Sequence, residues 1–179
     1  VAGGHIVEVG EVAGTTIDHI KAGLSDKTAA ILHVALEPSP TVALEEVANL
    51  AHRHGIPVIV DAAAELPPVS NLSAFSEAGG DLVIFSGGKQ VSGPNDSGIL
   101  CGRGDLVEAA RLQAFPNGGI GRPLKVGKEQ IVGLVFALKR FAAVDWDGEV
   151  ERWQKMAERM AEILAGASGV LEADVGFPK

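Results

Sequence analysis

Residues 81–94 read Asp-Leu-Val-Ile-Phe-Ser-Gly-Gly-Lys-Gln-Val-Ser-Gly-Pro, and the rest of the chain is organised around them. Leu82 to Phe85 form an unbroken apolar run, the pattern of a strand buried on both faces. The run leads into Ser86, two glycines and Lys89, and such glycines allow close approach of a ligand. Open α/β sheets bind ligands at the carboxyl ends of their strands. The stretch therefore predicts an interior strand that delivers Lys89 to a binding site.

Two kinds of chemistry place a lysine in this position, and the sequence matches only the second. A nucleotide-binding phosphate loop needs Gly-x-x-x-x-Gly-Lys-Ser/Thr, but Val83 and Gln90 stand where the first glycine and the hydroxyl belong. The other chemistry is a Schiff base between the lysine and a carbonyl cofactor, which needs an acid nearby. Asp61 ends a second apolar run, residues 56–60. If the two strands are parallel neighbours, Asp61 and Lys89 lie at the same edge of the sheet.

The motifs together resemble a known family. Asp61-Ala-Ala, Ser86-x-x-Lys89 and Gly93-Pro94 are similar to the fold-type I pyridoxal-phosphate enzymes, and within them to the class V aminotransferase-like branch. Phe85-Ser-Gly-Gly-Lys and the later Arg122-Pro-Leu-Lys-Val-Gly-Lys most resemble bacterial selenocysteine synthase, the seryl-tRNA selenium transferase. They resemble its relatives, the sugar-acid ammonia lyases, equally well.

The resemblance implies a role for each candidate residue, with pyridoxal 5'-phosphate as the cofactor. Lys89 would form the Schiff base and then carry the proton at the substrate Cα. Asp61 would accept a hydrogen bond from the protonated pyridine nitrogen, and Ser86 would bind the cofactor phosphate. Arg122 would reach the cofactor phosphate or the substrate of a neighbouring subunit, and a surface salt bridge is the alternative for it.

The chain also departs from the class V pattern at contacts to the cofactor. Gly88 stands where many members carry a histidine, and Ala64 stands where many carry a glutamine. The loop at residues 37–41 lacks the asparagine that many members place on the cofactor hydroxyl. These departures argue against cysteine desulfurase chemistry. His33 is expected to be structural. His52 and His54 are two residues apart on a predicted helix and so face different directions, which makes them a poor metal pair, and no metal site is predicted.

Composition narrows the function classes. The 179 residues are 46% hydrophobic and carry a net charge of −8, as expected for a folded globular protein. The negative charge argues against binding dominated by nucleic-acid phosphates, although it does not exclude a tRNA substrate. The single cysteine, Cys101, follows apolar residues and is expected to be a structural thiol. With no membrane-length apolar run and no signal peptide in the sequence, we expect a soluble cytoplasmic protein.

Strand and helix signals alternate along the chain, which predicts an α/β fold with three layers, a mostly parallel sheet and helices on both faces. Strands are predicted at residues 5–9, 29–34, 56–60, 82–85 and 97–102, the last antiparallel by resemblance, and helices at residues 43–54, 71–78, 106–112, 129–141 and 146–164. Residues 1–145 are predicted to be a pyridoxal-phosphate-binding large domain without its N-terminal part. Residues 146–179 would be a linking helix and the start of a small C-terminal domain.

The chain is expected to be a fragment, since it starts inside a regular pattern and stops just after the start of another unit. The helix at residues 129–141 is apolar nearly all round, which predicts burial in a core or a subunit interface. A homodimer or higher homo-oligomer is therefore expected.

The sequence thus predicts a pyridoxal-phosphate-dependent lyase or β-replacement enzyme acting on an amino acid or a 2-amino sugar acid. Lys89 would remove the Cα proton, and a β-substituent would leave. Seryl-tRNA selenium transfer, an aminotransferase and a racemase are alternatives, because all use the same carbanion. A non-catalytic α/β domain that serves assembly is the alternative from another class.

Overall fold

The computed structural model describes residues 3–36 and 42–176. Its elements follow the chain as α1 (Ile17–Gly23), β1 (Ile31–Val34), α2 (Leu44–Arg53), β2 (Val58–Asp61), α3 (Asn71–Glu77), β3 (Leu82–Ser86), β4 (Gly98–Gly102), α4 (Gly104–Gln113), a 3-10 turn (Arg122–Leu124), α5 (Lys128–Ala142) and α6 (Trp146–Ala165). The strands form one sheet in the order β1-β2-β3-β4, with the first three parallel and β4 antiparallel to β3. The predicted α/β fold with a mostly parallel sheet is confirmed.

One face of the sheet forms the core of the protein. Val58 and Val60 of β2 are fully buried, as are Val83 and Phe85 of β3. Helices α2 and α3 pack against these two strands, and the rings of Phe75 and Phe85 lie 6.2 Å apart. Burying a large apolar side chain contributes roughly 1.5–3 kcal/mol. The alternate positions in the strands point to the other face, where several apolar side chains are more than a third exposed (Leu32, Val34, Ile84 and Leu100).

The predicted strand at residues 5–9 is wrong. These residues belong to no strand, and a strand needs a hydrogen-bonded neighbour, which they lack in the described part of the chain. A hydroxyl caps the start of α1: the Thr16 side chain accepts a hydrogen bond from the His19 N–H. The proline-containing loop at residues 37–41 lies outside the described residues.

The chain divides into two compact units, residues 1–142 and 143–179. The first holds the sheet and helices α1 to α5, and the second holds α6, where the Trp146 and Trp153 rings lie 6.1 Å apart. The assignment of these parts to a large domain and the start of a small one stays a prediction. None of the helices in the described ranges is long and apolar enough to cross a membrane.

A buried carboxylate fastens the amino-terminal edge of the sheet. Asp81 is 6% exposed, and its Oδ2 lies 2.8 Å from both the Val58 backbone nitrogen and His52 Nε2. Its Oδ1 accepts a hydrogen bond of 2.9 Å from Arg103 Nη1. Burial alone would raise the pKa of Asp81, but these three partners outweigh it and hold the pKa below its ordinary value. The group thereby joins α2, β2 and the end of β4 to the start of β3.

Asp81→Asn is expected to destabilise the fold by about 2 kcal/mol, the cost of losing charge-assisted hydrogen bonds at a buried site. Because the folded-state pKa is lowered, this stabilisation is complete above the ordinary carboxyl pKa of about 4 and is lost as the pH falls below it. In urea unfolding, the free energy of unfolding of the parent should therefore fall more steeply from neutral to acid pH than that of the variant. Asp105→Asn, which removes an exposed partner of Arg103, should change stability by less than about 1 kcal/mol. Equal losses in both variants would contradict this account.

Candidate functional site

The two strands that lead to the predicted site residues end at the same edge of the sheet. Strands β2 and β3 are adjacent and parallel, and Asp61 is paired with Ile84. Asp61 is the last residue of β2 and Ser86 the last of β3, so both strands end at the same edge. Lys89 follows in the turn that leaves β3 there. The expected meeting of Asp61, Ser86 and Lys89 at one edge of the sheet thus agrees with the strand order, while their chemical roles stay a prediction.

Asp61 is a half-buried carboxylate held in a fixed position. Its Oδ1 accepts a hydrogen bond of 3.1 Å from the Ala63 N–H, a common way for an aspartate to close a turn after a strand. Its backbone continues the ladders on both sides, because the Asp61 carbonyl accepts from Ala35 N–H and the Ile84 carbonyl accepts from Ala62 N–H. In the part of the chain that the structure describes, the Oδ2 atom receives no hydrogen bond, which leaves it available to a ligand.

Lys89 lies exposed on a closed turn. The Gly93 N–H donates to the Gly87 carbonyl over 2.8 Å, and the Ser92 N–H donates to the Lys89 carbonyl over 2.8 Å. The Gly87 N–H in turn donates to the Ser97 carbonyl over 2.9 Å, which ties the turn to the start of β4. Ser92 adopts a left-handed backbone with φ of 57°, unusual for a residue with a side chain. The turn therefore fixes the backbone of Lys89 and leaves its amine facing solvent.

The two glycines before Lys89 are required by close packing. A Cβ on Gly87 would lie 2.9 Å from the Ser97 carbonyl oxygen, and one on Gly88 would lie 2.5 Å from the Asn95 Cα. Contacts this short force the backbone to move, since neither partner is the end of a flexible side chain. Gly88, which stands where many class V members carry a histidine, thus serves to let residues 88 and 95 approach each other.

Arg122 lies on a separate surface loop. Its Nη1 donates to the Pro116 carbonyl over 2.6 Å, and its guanidinium lies 5.3 Å from the centre of the Phe115 ring. Lys125 lies 5.4 Å from the same ring, a second cation that the sequence did not single out. Within the described residues no hydrogen bond or ion pair joins Arg122 to the Asp61 and Lys89 edge. Its predicted contact with a phosphate or a substrate therefore stays a prediction.

The other side chains considered from the sequence differ from Asp61 in the face or the region of the sheet that they occupy. His33 is paired with Val60, so it lies on the face opposite to Asp61, and the structural role expected for it stays a prediction. The Cys101 Sγ lies 3.8 Å from the Val83 carbonyl oxygen, and burial raises the pKa of this thiol. A cavity of about 520 Å³ lies near the amino ends of β1 and β2, where His54 and Ile56 line it, far from the carboxyl ends that carry Asp61.

The fold and this edge define the class of the protein. A mostly parallel sheet that ends in an aspartate on one strand and a lysine after the next is the arrangement of the fold-type I pyridoxal-phosphate enzymes. Comparison with family models agrees: residues 5–122 match the family "Aminotransferase class-V". The chain therefore belongs to the class-V aminotransferase family, and this membership implies pyridoxal 5'-phosphate as its cofactor.

Three named proteins show how far the similarity extends. The chain is 38% identical, over 98% of its length, to a 5'-C-glycyluridine monooxygenase-decarboxylase from a Streptomyces species. It is 33% identical, over 91% of its length, to D-glucosaminate-6-phosphate ammonia lyase from Salmonella typhimurium. It is 29% identical, over 91% of its length, to an L-seryl-tRNA(Sec) selenium transferase from Serratia proteamaculans. It covers 44%, 43% and 40% of those three proteins, so it spans less than half the length of each.

A solved structure supports the fold. The structure of a D-glucosaminate-6-phosphate ammonia lyase superimposes with a TM-score of 0.71 and 35% sequence identity. The superposition covers 80% of this chain and 37% of the lyase chain. Most of the described fold is therefore shared with a lyase that is much longer.

The residues at the carboxyl edge fit the implied cofactor. The unengaged Oδ2 of Asp61 can accept a hydrogen bond from a protonated pyridine nitrogen, and the exposed amine of Lys89 can reach an aldehyde. Ser86 is the last residue of β3, and its hydroxyl is a common type of phosphate ligand. The donor set thus matches a flat aromatic aldehyde that carries a phosphate.

Proposed function

We propose that the chain is the lysine-bearing part of a pyridoxal-phosphate-dependent lyase or β-replacement enzyme that acts on an amino acid or a 2-amino sugar acid. The observation that supports the proposal is the parallel pairing of β2 with β3, since Asp61 ends the first of these strands and the Lys89 turn follows the second. When bound, the cofactor would withdraw electrons from the substrate Cα.

Each residue then has a specific task. Lys89 would hold the cofactor through its Nζ, and its amine would afterwards carry the proton from the substrate Cα. Asp61, through its free carboxylate oxygen, would hold a protonated pyridine nitrogen, and the Ser86 hydroxyl would donate a hydrogen bond to the phosphate. Loss of the Cα proton would leave an electron pair that expels the β-hydroxyl, and the proton carried by Lys89 would let it leave as water. Hydrolysis would then release ammonia and a 2-oxo acid. Arg122 is assigned to an anionic group of the cofactor or the substrate, because its guanidinium fork suits a phosphate or a carboxylate.

A second candidate function is decarboxylation of an amino acid joined to a nucleoside. It is supported by the relative from Streptomyces, whose identity of 38% extends over 98% of this chain. Decarboxylation and proton removal leave the same electron pair on Cα, so one set of residues can serve both. Transamination and racemisation use that pair as well.

Seryl-tRNA selenium transfer is less favoured, since a net charge of −8 repels a polyanionic substrate. The non-catalytic assembly domain loses support, because the chain belongs to a family of enzymes and retains both Lys89 and Asp61.

Substrate profiling of the full-length protein tests the proposal. With cofactor present, we expect a phosphorylated amino sugar acid to yield ammonia and a 2-oxo acid in equal amounts. Release of carbon dioxide from a glycyl nucleoside would instead favour the second candidate. Selenium incorporation into seryl-tRNA would favour the transferase. If none of these substrates yielded ammonia with a 2-oxo acid, and none released carbon dioxide, both candidate functions would be wrong.

A further inference from the structure

We propose that Leu134 of α5 is a positioning residue for Lys89, and this inference rests on the role proposed for Lys89 above. Leu134 does not reach a reacting atom. It acts through the turn that carries the lysine, by filling the space that two glycines leave open. Its removal should therefore misplace the lysine without removing any chemical group from the site.

Helix α5 packs one face against the Lys89 turn. A Cβ on Gly133 would lie 3.0 Å from Pro94 Cγ, and one on Gly93 would lie 3.4 Å from Ala137 Cβ. Gly133 and Ala137 are four residues apart on the helix and so lie on the same face. Neighbouring side chains on the opposite face, Val132 and Val135, are 69% and 51% exposed. The contact between helix and turn is therefore one-sided.

Leu134 lies at the point where the turn closes. Its Cδ1 is 2.8 Å from the Cβ position of Gly87 and 3.3 Å from that of Gly93. These two glycines are the residues joined by the hydrogen bond from the Gly93 N–H to the Gly87 carbonyl. One methyl group thus lies against both ends of the turn, in space that exists only because neither end has a side chain.

The consequence concerns the backbone of Lys89 rather than its side chain. Four single bonds separate the amine from Cβ, so an exposed lysine on a loose loop would sample many positions. Closure of residues 87–93 fixes where that side chain starts, and a site that transfers a proton at Cα needs such precision. Side chains locked by packing supply it. In this protein the half-buried Leu134 provides that packing.

Leu134→Ala in the cofactor-free full-length protein gives the first test. We expect the Ser92 and Gly93 amides, which close the turn, to exchange with deuterium about tenfold faster, while amides of β2 keep their rates. Val135→Ala, at the next residue on the exposed face, should leave all of these rates unchanged. Leu134→Met, which keeps the side-chain volume and is flexible enough to fill the same gap, should restore slow exchange. Unchanged exchange in Leu134→Ala, or acceleration spread evenly over the whole fold, would overturn the proposal.

A second measurement with cofactor separates this inference from the proposed function. Leu134→Ala should lower kcat about tenfold and weaken cofactor retention, with KM nearly unchanged, and Leu134→Met should reverse both effects. If Lys89→Ala kept parental kcat and a borohydride-reducible cofactor adduct, the proposed function of Lys89 would fail, whereas the exchange result would still report on the turn. If Lys89→Ala lost the cofactor but Leu134→Ala behaved like the parent, only the positioning role would be wrong.

Discussion

Lys89→Ala is expected to lower turnover of the cofactor-loaded full-length protein by at least about a thousandfold, the upper part of the range for a lost acid–base group. The variant loses both the covalent attachment of the cofactor and the amine that moves the Cα proton. Its fold should be intact, because the Lys89 side chain is exposed and the turn is closed by backbone hydrogen bonds. The direct measurement is the visible absorbance of the purified protein together with mass spectrometry after borohydride reduction.

Lys139→Ala is the matched control, because Lys139 is an exposed lysine in the last turn of α5. It should retain the absorbance and the reduced cofactor adduct on Lys89. A cofactor adduct that persisted in Lys89→Ala at parental yield would show that another amine is the attachment point. The assignment of Lys89 would then be wrong, whatever the substrate.

Asp61→Asn is expected to lower kcat by about a hundredfold, the usual cost of losing one electrostatic partner of a developing charge. Asparagine keeps an oxygen that can accept the hydrogen bond from Ala63, so unfolding should be unaffected. It lacks the negative charge that keeps a pyridine nitrogen protonated, so electron withdrawal from Cα is weaker. Steady-state kinetics and the pH dependence of the cofactor spectrum together measure this loss.

Asp26→Asn serves as the control for this substitution. Asp26 is an exposed aspartate that lines the cavity near the amino ends of β1 and β2, away from the edge that carries Asp61. It should leave kcat and the spectrum unchanged. Parental kcat in Asp61→Asn would mean that the carboxylate only closes its turn.

The sequence predicted the parts of the fold that depend on local pattern. The apolar runs before Asp61 and Ser86 became β2 and β3, and the antiparallel strand expected at residues 97–102 is β4, Gly98–Gly102. An unbroken apolar run can be read as a strand without knowing its neighbours, whereas the burial of both faces predicted for it is not seen, since Ile84 of β3 is 37% exposed. The motif around Lys89 was equally local, and it pointed to the correct family.

Features that depend on distant partners could not be predicted in this way. The Asp81 group joins residues 22, 23 and 29 positions apart, and nothing in the spacing marks them as a set. The position of Arg122 depends on the path of an irregular loop, for which there is no periodic signal. The role of Leu134 was hidden for a related reason: in a helix apolar nearly all round, the sequence does not tell which side meets the Lys89 turn.

The crowding around Gly87 and Gly88 has a practical consequence for anyone who wishes to redesign this protein. Variants with a larger residue at either position are expected to fold poorly, because the added side chain collides with Ser97 or Asn95. The side chains of Phe115 and Arg122 are exposed on their surface loop, so substitutions there avoid such collisions. Sequence variation should therefore be introduced in that loop, with residues 87 and 88 kept as glycine.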